Sequence, residues 1–337
     1  MMKKKEYLLF RGLTLVFAVI FLFLFFLVQP RVARSESYVL KAVTAWPKPV
    51  TDNQAFFIFV DILEKKVAEK YPGELKINYV GGPEAVKTME QVHALQTGLV
   101  DMCFTTTAYY TSILPEVDAV KLSDFPAWQE RQRGAWAYLN DLHEKLGIYY
   151  LARLGLDVKF HLYLIKPIKT ADLKGLNIRV SPMYLQAVKA LGGNPVVIAP
   201  TEVYTGLQRG VVDGYCWPAM GIKDWGWEKL TKYVVDPGFY RVPNPLLVNL
   251  KTWNKLPKKL IYLLTGAAVE AEKKAAEHFE GLVKEDRPKL LKEGIKVIEL
   301  PPAEKDKFLK AAYDPAWNDI LQKNPRVGAE LRKLLTK

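Results

Sequence analysis

One segment of the sequence occurs twice in diverged form, and this repeat limits the possible folds more than any other feature. Residues 90–101 read EQVHALQTGLVD and residues 202–213 read EVYTGLQRGVVD, 112 positions later. Each copy predicts a short helix, a left-handed cap at Gly98 or Gly210, and a strand that begins at a Val-Asp pair. Solenoid repeats have periods of about 20 to 50 residues. The longer separation found here favours two similar α/β lobes.

Segments typical of strands and helices alternate along most of the chain, which predicts a mainly parallel, doubly wound α/β architecture. Residues 38–45 and 75–80 have the pattern of strands, and residues 55–70 between them have apolar positions at helical spacing. Two extended apolar stretches, residues 158–165 and 245–250, are suited to connect the lobes.

The predicted domain organisation follows from these segments. Residues 37–158, with part of 250–290, form the first lobe, and residues 159–249, with part of 291–337, form the second. Residues 256–337 form a C-terminal helical region with breaks at Pro315 and Pro325. Its first helix, from about residue 260 to 282, is about 30 Å long or more, which is enough to brace both lobes.

The N-terminus has the layout of a secretory signal. Lys3, Lys4, Lys5 and Arg11 precede an uncharged apolar run over residues 13–28. The run approaches the length of a bilayer span, and residues 29–35 contain only a poor small-residue cleavage site, so an uncleaved anchor stays open as the alternative. Residues 1–36 are therefore predicted to be a signal peptide or an inner-membrane anchor, and the rest of the chain to be periplasmic.

Composition excludes several classes of protein. The formal charge is +12, and without residues 1–36 it is +8, because six cations and two anions are lost. Lysines alternate with glutamates over residues 270–292, so no basic stripe for nucleic acid is expected. Cys103 and Cys216 lie in apolar or aromatic segments typical of buried thiols, and the sequence does not decide whether they are paired.

Motifs for catalysis are missing. The sequence has no phosphate-binding loop, metalloprotease helix, serine elbow or zinc-type cysteine pair. Its histidines are scattered, and each is predicted to be structural: His93, His143, His161 and His278. We therefore predict a binding protein rather than an enzyme, with no cofactor.

Arg179 is the residue whose pattern best indicates a ligand contact. It lies in the segment LNIRV, where alternation places Leu176, Ile178 and Val180 on one side of a strand and Arg179 on the other. Ligands of open α/β sheets bind beyond the carboxyl ends of the strands. A guanidinium there matches a carboxylate in a bidentate geometry.

Several motifs, in the same order, resemble those of one family. They are GGPEAVKTMEQVHALQTGLVDM at 81–102, DLKGLNIRV at 172–180, PTEVYTGLQRGVVDGYCWP at 200–218 and NLKTW at 249–253. From residue 38 to about residue 256 the chain resembles the DctP-type substrate-binding subunit of tripartite ATP-independent periplasmic (TRAP) transporters. The resemblance implies a two-lobed periplasmic-binding-protein-like fold, a ligand cleft between the lobes, and a small carboxylate delivered to membrane permease subunits.

The resemblance also implies roles for particular residues. Arg179 would grip the substrate carboxylate, Lys159 would supply a second polar contact, and Trp217 would be an aromatic contact. The opposite wall of the cleft, in the first lobe, would include Trp46, Thr106 and Tyr109. After the carboxylate docks on Arg179, the lobes would hinge shut around it.

One departure from the family concerns metal. Some members hold a metal ion between protein carboxylates and an oxo- or hydroxy-acid. Here Cys216 occupies the position of a glutamate ligand, and residues 238–241 (GFYR) lack the later acidic one. Since hard cations need oxygen ligands, no metal is expected.

Other functions and states stay open at this point. An extracytoplasmic sensor module for a signalling receptor is the alternative function, and an α/β enzyme is a further one. The sequence leaves monomer and homodimer undecided.

Overall fold

The computed structural model describes residues 37–154 and 158–337. The predicted signal peptide or anchor, residues 1–36, lies outside the described residues. Across the described ranges, no helix combines the length and apolarity needed to cross a bilayer.

The described chain alternates strands and helices. The strands are β1 (Tyr38–Thr44), β2 (Leu75–Gly81), β3 (Met102–Phe104), β4 (Ile148–Arg153), β5 (Lys159–Leu164), β6 (Asn177–Val180), β7 (Asn194–Val197), β8 (Gly214–Pro218), β9 (Tyr233–Arg241), β10 (Pro245–Asn249) and β11 (Lys296–Glu299). The α-helices are α1 (Gln54–Lys70), α2 (Gln91–Thr97), α3 (Ala127–Gln132), α4 (Ala135–Glu144), α5 (Leu185–Ala190), α6 (Val203–Gln208), α7 (Leu250–Lys255), α8 (Lys258–Lys292), α9 (Pro302–Lys323) and α10 (Pro325–Leu335).

The strands form two sheets, one in each lobe. The first has the order β2-β1-β3-β10-β4, and the second has the order β11-β9-β5-β8-β6-β7. In the first sheet β1 is parallel to β2 and β3, while β10 is antiparallel to β3 and β4. In the second sheet β6 is parallel to β7 and β8, while β5 is antiparallel to β8 and β9. The α/β prediction is confirmed, although both sheets are mixed rather than purely parallel.

The internal repeat corresponds to a repeated topology. β1-α1-β2-α2-β3 and β6-α5-β7-α6-β8 each place their first strand between the other two. Gly98 and Gly210 both have positive φ, at 80° and 67°. Asp101 accepts a hydrogen bond from the N–H of Lys41 in β1, and Asp213 accepts one from the N–H of Asn177 in β6, at 2.9 and 3.0 Å. An aspartate at the equivalent position of each lobe thus joins the first strand to the start of the third.

The two stretches predicted to connect the lobes are interior strands. β5 lies between β9 and β8 in the second sheet, and β10 lies between β3 and β4 in the first. Their apolar residues are continuous because both faces of each strand are buried. The predicted boundary at residue 249 therefore differs from the structure, since β10 belongs to the first sheet. The chain passes between the sheets after β4 and returns after β9.

The predicted bracing helix is present and is longer than expected. α8 has 35 residues, or about 52 Å at 1.5 Å per residue. Near its middle, the buried Glu272 accepts hydrogen bonds from the Arg131 side chain and from the N–H of Arg153 at the end of β4. Near its C-terminal end, Arg287 forms an ion pair with Asp236 of β9. The helix is therefore bonded to both lobes.

The prolines of the C-terminal region act differently from one another. α9 continues through Pro315, so the predicted break there is wrong. Two features stabilise the helical turn around Pro315. Ala312 and Trp317 are buried, and the Tyr240 hydroxyl donates a hydrogen bond to the Ala312 carbonyl at 2.5 Å. The break at Pro325 is confirmed, because α10 begins at this residue.

Candidate functional site

The most unusual polar group in the core is the guanidinium of Arg179. β6 pairs with β7 and β8 on its two sides, and Arg179 is 1% exposed. Its Nε donates to the Ile198 carbonyl at 3.0 Å, and its Cζ lies 5.7 Å from the centre of the Trp217 ring. Its Nη2 atom is buried and has no hydrogen-bond partner among the described residues. The Nη2 group of this fixed, positively charged side chain is thus left without a partner.

Arg179 lines a cavity between the two lobes. From the first lobe, Trp46, Asp52, Thr106 and Tyr109 form one wall. From the second lobe, the opposite wall consists of Phe160, Arg179, Ser181, Tyr184 and Trp217. Asn244 closes the cavity from the segment between β9 and β10.

The structure brings together five of the predicted site residues and separates the sixth. Arg179, Trp217, Trp46, Thr106 and Tyr109 all line the cavity. Lys159 does not: it is exposed and lines a separate surface depression with Trp128 and Glu280. Side chains alternate along a strand, and on β5 it is the neighbouring Phe160 that faces the cavity. Lys159 therefore lies outside the cavity, and Phe160 is the residue of this part of β5 that lines it.

The sequence analysis missed Asp52, Ser181 and Asn244. Asp52 belongs to a 3-10 turn, Thr51–Asn53, directly before α1, and polar residues there are ordinarily helix caps. The Asn53 amide donates to the carbonyls of Trp46 and Pro47, at 2.8 and 2.6 Å, and folds the loop back on itself. Only that folding turns Asp52 and Trp46 toward the same space.

Unpaired polar atoms converge on this cavity. Six buried atoms of its lining have no partner in the part of the chain that the structure describes: Trp46 Nε1, Asp52 Oδ2, Arg179 Nη2, Ser181 Oγ, Trp217 Nε1 and Asn244 Nδ2. Four of these are hydrogen-bond donors only. Buried donors without partners are costly, and folded proteins rarely keep several together. A group of donors around a cation is a site for an anion that is rich in acceptors.

Comparison with known proteins agrees with this geometry. Residues 48–324 match the model of the DctP family, described as bacterial extracellular solute-binding protein, family 7. The chain belongs to this family. Among curated relatives is a monocarboxylate 2-oxoacid-binding periplasmic protein of Nostoc sp., which is 27% identical over 87% of this chain and 81% of its own length.

Solved structures of solute-binding proteins share the fold. One is a TRAP transporter protein from Bordetella bronchiseptica with copurified calcium and picolinate, with a TM-score of 0.78, 23% identity, and coverage of 89% of this chain and 92% of that one. Another is a TRAP periplasmic protein from Desulfovibrio salexigens with bound orotic acid, with a TM-score of 0.78, 21% identity, and coverage of 89% and 97%. The two-lobed periplasmic-binding-protein fold is thereby confirmed.

The residues of this DctP-family protein do not fit a calcium site like that of the Bordetella neighbour. Asp52 is the one carboxylate among the described lining residues, whereas Ca²⁺ takes six to eight oxygen ligands. Cys216 is packed among Leu162, Leu173 and Phe239 on the other face of β8. No group of three or more potential metal-binding acids, histidines or cysteines occurs within the described ranges.

The cavity walls are held rigidly by aromatic packing. The Trp217 ring meets Trp227 and Trp225 edge-on, with centroid separations of 4.8 and 6.0 Å. On the opposite, first-lobe wall, the ring centroids of Trp46 and Tyr109 are 6.4 Å apart. These contacts fix the indole groups before any ligand enters, so the apolar part of a ligand meets a preformed surface.

Asp52 is the second charged group of the cavity, and its environment favours the neutral acid. Burial, together with the nearby charge of Asp224, raises its pKa from 3.8 to about 7. The described residues provide no cation to pair with it. An acid whose pKa is higher in the folded protein than in the unfolded chain stabilises folding less as the pH rises between the two values.

We therefore expect Asp52→Asn to change how stability depends on pH. The melting temperature of the variant should be similar to that of the wild type near pH 4 and should exceed it near pH 8, because ionised Asp52 costs up to about 4 kcal/mol of folding free energy. Thermal denaturation at several pH values measures this. Asp61→Asn, at an exposed position of α1, is the control and should leave the profile unchanged. Parallel profiles for wild type and Asp52→Asn would contradict the assignment.

Proposed function

We propose that this protein captures a small organic acid outside the cytoplasm, holds the carboxylate on Arg179 between its two lobes, and delivers it to the membrane subunits of a TRAP transporter. Membership of the extracellular solute-binding family supports the binding and transport role. The single observation that carries the choice of an acid is the buried, unpaired Nη2 of Arg179 in the inter-lobe cavity.

The physical argument rests on charge compensation. A buried guanidinium without a counter-ion is unfavourable, because the lost hydration is not replaced. No described carboxylate forms an ion pair with Arg179. A ligand carboxylate would supply the missing charge and would accept hydrogen bonds from Arg179 and from the indole N–H groups of Trp46 and Trp217.

The lining of the cavity favours a small acid with a flat or partly apolar body. Five of its fourteen described lining residues are aromatic, and they come from both lobes, so the body of the ligand would lie between ring surfaces. The ligands named for similar proteins, monocarboxylate 2-oxoacids, picolinate and orotic acid, are small carboxylates, which supports a small acid in general.

Contacts across the cleft suggest how capture is completed. The Asp224 carboxylate of the second lobe accepts the N–H of Thr51 at 2.6 Å. Lys121, from the first-lobe 3-10 segment Pro115–Leu122, donates to the Met183 carbonyl of the second lobe at 2.6 Å. In the proposed cycle these bonds form as the lobes close on the ligand, and the permease recognises the closed form.

Replacing Arg179 tests the proposal directly. Arg179→Met keeps an unbranched stem and removes the guanidinium and its charge. We expect affinity for small carboxylates to fall about tenfold to 150-fold, since a hydrogen bond to a charged group contributes about 1.5–3 kcal/mol. Thermal shift against a panel of monocarboxylates finds the ligands, and isothermal titration calorimetry measures the loss.

Two further variants show whether a loss of affinity in Arg179→Met comes from the guanidinium of this residue. Arg179→Lys keeps the charge without the planar fork, so its loss should be smaller than that of Arg179→Met. Arg209→Met changes an exposed arginine outside the cavity and should bind as the wild type does. Unchanged affinity in Arg179→Met would refute the proposed role.

We also expect ligand binding to need no metal. The cavity offers a single carboxylate, so a bridging cation would lack protein ligands. Titrations before and after dialysis against EDTA should give the same dissociation constant. A loss of affinity that added Ca²⁺ restores would contradict this expectation.

A further inference from the structure

Asp52 lines the cavity opposite Arg179, and none of its described contacts accounts for its burial. Its side chain is 2% exposed, and its Oδ2 atom accepts no hydrogen bond from any residue that the structure describes. Nor does a lysine, arginine or histidine of the described ranges form an ion pair with it. Its Oδ2 atom is therefore an unpaired carboxyl oxygen in a cavity whose other unpaired described atoms are mostly donors.

The position of Asp52 is fixed from both lobes. Asn53 ties the turn to the carbonyls of Trp46 and Pro47. From the second lobe, the Asp224 carboxylate accepts the N–H of Thr51. Asp52 lies between these two anchored residues, so its side chain cannot swing into solvent while the lobes are closed.

A second acid, Asp224, lies near Asp52 and makes a hydrogen-bond donor beside Asp52 more favourable. A Cβ atom placed on Gly221 would lie 3.6 Å from Asp224 Oδ2 and 3.7 Å from Asp52 Oδ2, so both carboxyl groups flank this glycine. Asp224 is exposed and accepts the Thr51 N–H, whereas Asp52 is buried and its Oδ2 atom has no partner among the described residues. Two neighbouring acids without a cation favour a donor or a positive group beside the buried one.

Asp52, Tyr109 and Arg179 all line the same cavity. Burial raises the pKa of the Tyr109 hydroxyl, the charge of Arg179 lowers it, and the charge of Asp52 raises it, so both charges act on this side chain. Because Asp52 comes from the first lobe and Arg179 from the second, a ligand that spans the cavity would meet Arg179 on one side and Asp52 on the other.

We propose that the ligand carries an O–H or N–H donor at the end opposite its carboxylate, and that Asp52 accepts this donor while Arg179 holds the carboxylate. This inference rests on the proposed function of Arg179 and narrows the substrate class to acids that carry a hydroxyl, amino or ring N–H group away from the carboxylate. Acids whose far end is wholly apolar leave Asp52 unsatisfied and are selected against.

Matched pairs of acids test the inference on the full chain by isothermal titration calorimetry. 3-Hydroxypropionate is compared with propionate, and 4-hydroxybenzoate with benzoate, as part of a wider panel of monocarboxylates paired in the same way. β-Alanine, compared with 3-hydroxypropionate, separates a charged donor from a neutral one. The donor-bearing member of each binding pair should bind at least about tenfold more tightly, because the other member leaves a buried acceptor unpaired.

Variants separate the contribution of Asp52 from that of Arg179. In Asp52→Leu the preference for the donor-bearing acid should shrink to about twofold or less, and in Arg179→Met both members of a pair should weaken together. Asp61→Asn, on the exposed face of α1, should keep the wild-type preference. If Asp52→Leu does not fold, the paired titrations on the wild type decide alone.

The outcomes distinguish this inference from the function on which it rests. Acids that bind through Arg179 without any preference for a donor would overturn the role of Asp52 and leave the proposed function standing. Tightest binding by acids without a donor would do the same. If no member of the paired panel binds, both the inference and the proposed function are overturned.

Discussion

A buried guanidinium without a counter-charge is the constraint on which the rest of this structure depends. Arg179 is held in the middle of three strands, with one donor bonded to a backbone carbonyl and another left for a ligand. The chain could have neutralised it with a carboxylate, yet the acid across the cavity, Asp52, has no cation of its own among the described residues. The Arg179 guanidinium and the Asp52 carboxyl group are therefore both available to bind a ligand.

The repeated topology explains why these groups meet. Each lobe uses the same strand-helix unit and the same aspartate clamp between its first and third strands, at Asp101 and Asp213. Residues that line the cavity therefore lie near equivalent strand ends in the two lobes, which is where open α/β sheets bind ligands. The chain passes between the sheets after β4 and returns after β9, and α8 is bonded to both lobes. A cavity between rigid halves is the result.

How much the sequence could predict depended on the range of the interactions involved. Local periodicity located α1, the strands and the repeat, and motif resemblance located Arg179, Trp217, Trp46, Thr106 and Tyr109. Lys159 was misplaced because the face of β5 is decided by its neighbours in the sheet rather than by the strand itself. Asp52 was missed because only the tertiary fold of its loop turns an ordinary helix-cap residue into the cavity. Pro315 was misjudged because burial around Trp317 outweighs a local helix breaker.

A crystal structure of the protein with its bound acid would test the central claim most directly. The account predicts a carboxylate within hydrogen-bond distance of Arg179 Nη2, enclosed by residues of both lobes. A ligand bound elsewhere, with the Arg179 side chain turned away from the inter-lobe cavity into solvent, would contradict it.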